Sequence, residues 1–121
     1  MTSRDTRRWV IPKGWPIGRE APYASAAREA LEEAGVVGKA GRDPMGVYTY
    51  EKHRANGSIA ICDVQVFPLE VERQQEEWPE KDQREVRWFS LTDAAKAVHE
   101  PVLSDIILAA QELSSRIRDQ R

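Results

Sequence analysis

The chain is poor in the features that would place it in several large classes. It has a single cysteine, Cys62, so no internal disulfide can form. Its setting in an apolar stretch reads as a small core residue rather than a nucleophile. No apolar run approaches the length of about 20 residues that a membrane-spanning helix needs. The start, MTSRDTRRWV, lacks the hydrophobic centre of a signal peptide. A cytoplasmic protein without a membrane partner is expected. Nor is there an excess of one charge: 18 basic and 20 acidic residues give a net charge of −2, so no global field draws the chain to nucleic acid. A phosphate-rich ligand would have to be met by local cations or by a metal. Repeats, low-complexity tracts and linkers are missing as well. With 121 residues there is material for one core, and residues 1–121 are read as a single domain.

What is there is concentrated between Gly14 and Val36, GWPIGREAPYASAAREALEEAGV. Pro22 suits the first turn of a helix, where a missing N–H costs nothing, and Gly35 suits its left-handed cap. Ala27, Ala30, Leu31 and Ala34 recur at the spacing of a buried stripe, while Glu29, Glu32 and Glu33 crowd another face. Like charges at that spacing cost a helix roughly 0.2–0.5 kcal/mol per pair, so they need open solvent or a cation. Arg28 can meet Glu32 at i+4; Glu29 and Glu33 are left without a partner in the helix. On its own a glutamate-rich face is ordinarily a solvated face. A hard divalent ion that prefers oxygen ligands is the other way to hold the carboxylates together.

The spacing decides between these readings. Gly14, Glu20, Arg28, Glu29, Glu32, Glu33 and Gly35 reproduce, without a gap, the signature of the Nudix hydrolases, which this chain resembles. At roughly 1 in 15 per position, coincidence is on the order of 10⁻⁸ per starting point. Ala30 stands where that family prefers a bulkier aliphatic residue. The resemblance covers nearly the whole chain. It is closest to the diphosphoinositol polyphosphate and diadenosine polyphosphate phosphohydrolase branch, on Trp9-Val10-Ile11-Pro12-Lys13-Gly14, Lys52-His53-Arg54 and Arg87-Trp88-Phe89.

Along the rest of the chain, residues 1–8 read as a polar end and Trp9-Val10-Ile11 as a short strand stopped by Pro12. Val36 to Pro44 reads as a connection, and Met45 to Glu51 as an alternating strand. Asn56-Gly57 marks a hairpin tip. Ser58 to Val71 is apolar on both parities and reads as a central strand, with Pro68 a bulge or the end of pairing. Glu70 to Glu85 reads as a solvated loop, Val86 to Phe89 as a short strand, and Ser90-Leu91-Thr92-Asp93 as a capped helix start. The last helix is expected to bury Leu103, Ile106, Ile107, Ala110, Leu113 and Ile117.

The resemblance implies an α+β Nudix fold: a mixed sheet sandwiched between helices (α/β/α), its first strand lacking or incomplete here. A shortened start, or an edge covered by a second copy in a homodimer, would account for that. It also implies metal-dependent hydrolysis of a phosphoanhydride bond, with Mg²⁺ (or Mn²⁺) as cofactor. Glu29 and Glu33 would be metal ligands, Glu32 a further ligand or support, and the Lys13 carbonyl would complete the set. Arg28 would orient Glu32 through a bidentate pair, a task lysine performs poorly. Gly14 and Gly35 would shape loop and cap, and Glu20 would steer the loop or touch the metal's outer sphere. The attacking water would be activated by a glutamate of the helix or by Glu80, Asp82 or Glu85 of the later loop. Lys13, Lys52, His53 and Arg54 are the local cations for a polyphosphate, His53 serving equally well as a solvated turn residue. The favoured substrate is a diadenosine or diphosphoinositol polyphosphate. A nucleotide-sanitising pyrophosphatase and a non-catalytic nucleotide sensor are the alternatives, and the filled acidic positions weigh against the sensor.

Overall fold

The first helix, α1, runs from Pro22 to Ala34 and owes its place to small residues. Alanine is the best helix former, and Ala30 and Ala34 let the backbone settle closely on the strand that follows. Their buried methyl groups meet Val36, with Met1, Leu69 and Val86 around them. Gly35 ends the helix in the left-handed conformation, φ 71°, its N–H reaching back to the carbonyls of Ala30 and Leu31. A Cβ at this glycine would overlap the ring of Trp78. The cap is thus fixed by backbone handedness and by an indole lying against it.

The computed structural model describes residues 1–4 and 6–119, with the side chains of 113–119 outside the description, so the expected burial of Leu113 and Ile117 lies outside the described residues. Four strands follow α1: β1 (Val36–Ala40), β2 (Gly46–His53), β3 (Ile59–Val66) and β4 (Leu69–Gln74). Two further helices close the chain, α2 (Leu91–Ala97) and α3 (Pro101–Asp119). The α+β class holds. The described strands pair as two antiparallel ladders, β1 with β4 and β2 with β3. Among the described residues the one parallel contact is an isolated bridge between Trp9 and Val98.

Several local expectations change. Trp9-Val10-Ile11 is no strand but an extended segment held by single bridges from Trp9 to Thr2 and Val98, since Pro12 removes the next donor. The connection after the helix begins with a strand, because Val36 and Val37 are β-branched residues that pair with Gln74 and Arg73. The long apolar stretch divides at Phe67-Pro68 into β3 and β4, which belong to different ladders. Pairing stops at Pro68, one of the two outcomes its missing N–H allows. β3 is not central: Ile59 and Ile61 are 53% and 66% exposed, while Cys62 on the other parity is buried and free. Val86 to Phe89 forms no strand, since Glu85 already spends its backbone groups on Thr2.

The second cluster is built by α3 against β2 and β3. Leu103 is fully buried and Ile106 nearly so, against Tyr48, with Ile11, Met45, Val64, Val66, Val98 and Ile107 around them. Ser90 caps α2 as its sequence suggests, its Oγ accepting from the Asp93 N–H at 3.1 Å. The hairpin tip is Asn56-Gly57, with Gly57 at φ 85°. Beside the second cluster lies an open cleft of about 1220 Å³, walled by α1, the 12–16 loop, the β2–β3 ladder and the start of α3. None of the described helices is long and apolar enough to cross a membrane.

Candidate active site

The glutamates of α1 are gathered by two arginines. Arg28 takes Glu29 and Glu32, together with Glu20 from the loop before the helix. Its Nε donates to Glu20 Oε2 at 2.9 Å and its Nη2 to Glu20 Oε1 at 3.1 Å, making the forked pair with Glu20. Its Nη1 lies 2.8 Å from Glu29 and 3.1 Å from Glu32. The expected bidentate partner was Glu32. Glu20 takes that place because the loop folds back until its carboxylate meets the Nε–Nη2 edge of the guanidinium, leaving Glu32 one nitrogen. Glu29, expected to lack a partner in the helix, therefore has one next door. Glu20 also caps the Ile17 N–H, and the Arg28 hydrogen bonds hold its carboxyl below the ordinary range.

Arg84 takes the remainder. Its Nη2 lies 3.5 Å from Glu33 and its Nε donates to Glu80 at 3.0 Å. Its Nη1 donates to the Thr2 carbonyl at 3.2 Å. The sequence reading missed Arg84 by treating 70–85 as solvated. The signal was the Glu80–Arg84 pair at i, i+4 behind the bulky Trp78-Pro79. Trp78 lies against Gly35, and the Glu80 N–H donates to the Glu32 carbonyl at 3.0 Å, which brings this segment onto the end of α1.

Glu33 is the most constrained of the set. It is 4% exposed, and its Oε1 accepts the backbone N–H of Lys13 at 3.1 Å. Burial pushes its carboxyl up to about 7, against the Lys13 hydrogen bond and the Arg84 charge, with Glu29 and Glu80 pushing the same way as burial. Glu29 is also raised, chiefly by burial, with Arg28 opposing and Glu32 and Glu80 adding to it. Gly14 is required at its position because a Cβ there would displace the Glu29 carboxylate. The 12–14 loop thus touches both glutamates.

Lys13 and Glu33 line the cleft, as do Lys52 and His53. The Lys13 ammonium sits 4.7 Å from the Tyr50 ring. Its pKa is lowered by burial, while Glu33 and Glu100 favour the charge. Arg54 stands on the exposed hairpin tip, and Lys52 and His53 are exposed where β2 leaves the cleft. Of the three acidic loop residues, Glu80 reaches the helix cluster. Asp82 sits exposed in a single 3₁₀ turn, and Glu85 is exposed beside Thr2, its backbone engaged there.

Residues 2–109 match the family model of the NUDIX domain. The chain belongs to the Nudix family. It is 37% identical over 99 residues to Nudix hydrolase 13, mitochondrial, of Arabidopsis thaliana, covering 78% of this chain and 49% of that protein. To diphosphoinositol polyphosphate phosphohydrolase 3-alpha of Mus musculus it is 34% identical over 110 residues, 88% of this chain and 63% of the relative. To Nudix hydrolase 21, chloroplastic, of Arabidopsis thaliana it is 40% identical over 86 residues, 70% and 41%. The chain spans about half the length of the plant relatives and under two thirds of the mouse one.

Members of the family act with divalent metals, and the donor set of this Nudix chain suits one. Glu29, Glu33 and Glu80 each oppose the ionisation of another, which is the condition a cation relieves. Among the described residues no three acidic, histidine or cysteine side chains converge as a ready-made cage. The carboxylates are turned instead onto Arg28 and Arg84. Mg²⁺ needs no full cage, since one or two carboxylates suffice with waters and substrate phosphates. Glu29 and Glu33, one turn apart on α1, fit that requirement, with Glu32 at 40% side-chain exposure the outer member.

Proposed function

We propose that this Nudix domain hydrolyses a phosphoanhydride bond in a nucleoside-diphosphate-linked or polyphosphate substrate, using Mg²⁺ held by Glu29 and Glu33. One observation carries the reading. The two motif glutamates are folded against the Lys13-Gly14 loop at the wall of the large cleft, Glu33 bonded to the Lys13 N–H. A bound divalent cation would neutralise phosphate charge there and raise the acidity of an attacking water.

The chain's own groups supply the rest. Lys13 presents an ammonium to the cleft for a phosphate oxygen, and Lys52 adds a second charge further out. Arg28 holds Glu29 and Glu32 in register through its fork to Glu20, so the glutamates face one place without searching rotamers. Glu80 is the loop candidate for the base, since it is the one of the three that reaches the helix. Water attacks phosphorus, the anhydride oxygen leaves with its phosphate, and the proton passes to the base. The names of the matched relatives support a polyphosphate with several charges.

The test is a substrate panel of dinucleoside polyphosphates, ADP-ribose, nucleoside triphosphates and diphosphoinositol phosphates, run with Mg²⁺ and with Mn²⁺. Formation of the two cleavage products, phosphate esters or phosphate according to the substrate, that stops in EDTA and in Glu33→Gln supports the reading. Wild-type protein that binds these ligands and turns none over would make it a sensor instead.

A further inference from the structure

We infer that Trp15 is the platform on which the cleft seats a heteroaromatic base, so that the substrate of the proposed hydrolase carries a nucleoside. The inference rests on the hydrolytic reading above and narrows it. Trp15 is 69% exposed although it follows Gly14 directly and lines the same cleft as Lys13 and Glu33. Its backbone is far from loose. The Trp15 carbonyl accepts from Arg28 Nη2 at 3.2 Å, and Arg28 is the group that gathers Glu20, Glu29 and Glu32. Pro16 follows and fixes its own φ. A large exposed indole therefore stands at the cleft on a backbone anchored by the arginine that gathers the carboxylates, which offers a stacking surface on the same wall as Lys13 and Glu33.

Charge in the cleft points the same way. Lys13 faces Glu33 and Glu100, Arg84 pairs with Glu33 and Glu80, and Arg4 donates to Gln83 beside Glu80, so that the exposed Arg8 and Lys52 are the remaining arginine and lysine side chains of the lining. A ring bearing phosphates on every side asks for cations all round it. A nucleoside polyphosphate gathers its charge on one chain and offers a flat face and hydroxyl groups elsewhere. Glu100 lines the cleft, and a carboxylate accepts from a hydroxyl or amino group and repels a phosphate. Base stacking on an aromatic side chain is sequence-tolerant and is lost on truncation.

The experiment measures binding of a non-hydrolysable diadenosine polyphosphate analogue and of inorganic tripolyphosphate, both with Mg²⁺, by calorimetry on the full chain. Wild type is compared with Trp15→Ala, Trp15→Leu and Trp15→Phe, each checked for folding by thermal unfolding. The expected result is a loss of at least about fivefold in analogue affinity for Trp15→Ala and Trp15→Leu, with Trp15→Phe recovering most of it. The ratio of analogue to tripolyphosphate affinity falls with it. In turnover, KM for the dinucleotide rises relative to that for a diphosphoinositol polyphosphate, while kcat changes less. Unchanged analogue binding in Trp15→Ala and Trp15→Leu overturns the inference, as does an equal loss for tripolyphosphate. Failure of the hydrolytic reading shows separately, as wild-type protein without turnover whose analogue binding still depends on Trp15.

Discussion

Replacing Glu33 with glutamine should make the metal-free protein more stable while removing its activity. The buried carboxyl has its pKa pushed up to about 7 from an ordinary 4.5, chiefly by burial. Above pH 7 the side chain is charged in both folded and unfolded chains, and the folded state bears the cost of burying it. Below about pH 4.5 it is neutral in both, and the cost is gone. Between those limits wild type loses stability relative to the variant as pH rises. At about 1.36 kcal/mol per pH unit, the difference between 4.5 and 7 amounts to about 3 kcal/mol. For a domain of this size that is on the order of 10 °C in Tm. Glutamine keeps an acceptor for the Lys13 N–H, and Arg84 keeps Glu80, so little of the gain is returned. The assay is urea unfolding followed by tryptophan fluorescence in EDTA, from pH 4.5 to 8, for both proteins. A variant less stable than wild type at pH 8, or a difference that does not change with pH, would refute the reasoning. Adding Mg²⁺ should then stabilise wild type more than the variant, because only wild type keeps both proposed ligands.

Three further outcomes are expected. Arg84→Ala leaves Glu33 and Glu80 without their shared cation and should cost about 3 kcal/mol at pH 8, read by the same unfolding experiment; in a Glu33→Gln background the cost should shrink, which a double-mutant cycle measures. Arg28→Lys keeps a charge and loses the fork, so Mg²⁺-dependent turnover should fall by about 10–100-fold with Tm lowered by only a few degrees, checked by steady-state kinetics and calorimetry. Gly35→Ala must adopt φ 71° with a methyl group against Trp78, and should lose about 2 kcal/mol or more, seen as a lowered urea midpoint.

The helix and its cap were legible because their signals are local. Pro22, the alanine stripe and Gly35 act within a few residues of one another, and Ser90 caps α2 for the same reason. What could not be read is whatever depends on distant pairing. β4 is a charged segment, LEVERQ, and it is a strand because β1 lies beside it. The β3 stretch is apolar on both parities, but among the described residues it has one ladder partner, which leaves Ile59 and Ile61 outward. The site divides the same way. The glutamate spacing singled out Glu29 and Glu33 as candidates, yet their charge partners are set by folding. Glu20 takes the fork of Arg28 across a loop, and Arg84 arrives from 51 positions beyond Glu33. Lys13 was read from its loop and lies where Glu33 meets the backbone, whereas Arg54 remains on the hairpin tip.

The indole of Trp78 is a mechanical link between two parts of the molecule that sequence treats as independent. One of its faces is closed by the terminus of α1, and the polypeptide running on from it delivers both Glu80 and Arg84. Any side chain at position 35 would therefore act as a wedge, levering that downstream segment away and moving two charges at once. The glycine answers to two demands, a turn in its own backbone and the seating of a neighbour more than forty positions later. A mutation there would register as an electrostatic defect as much as a conformational one.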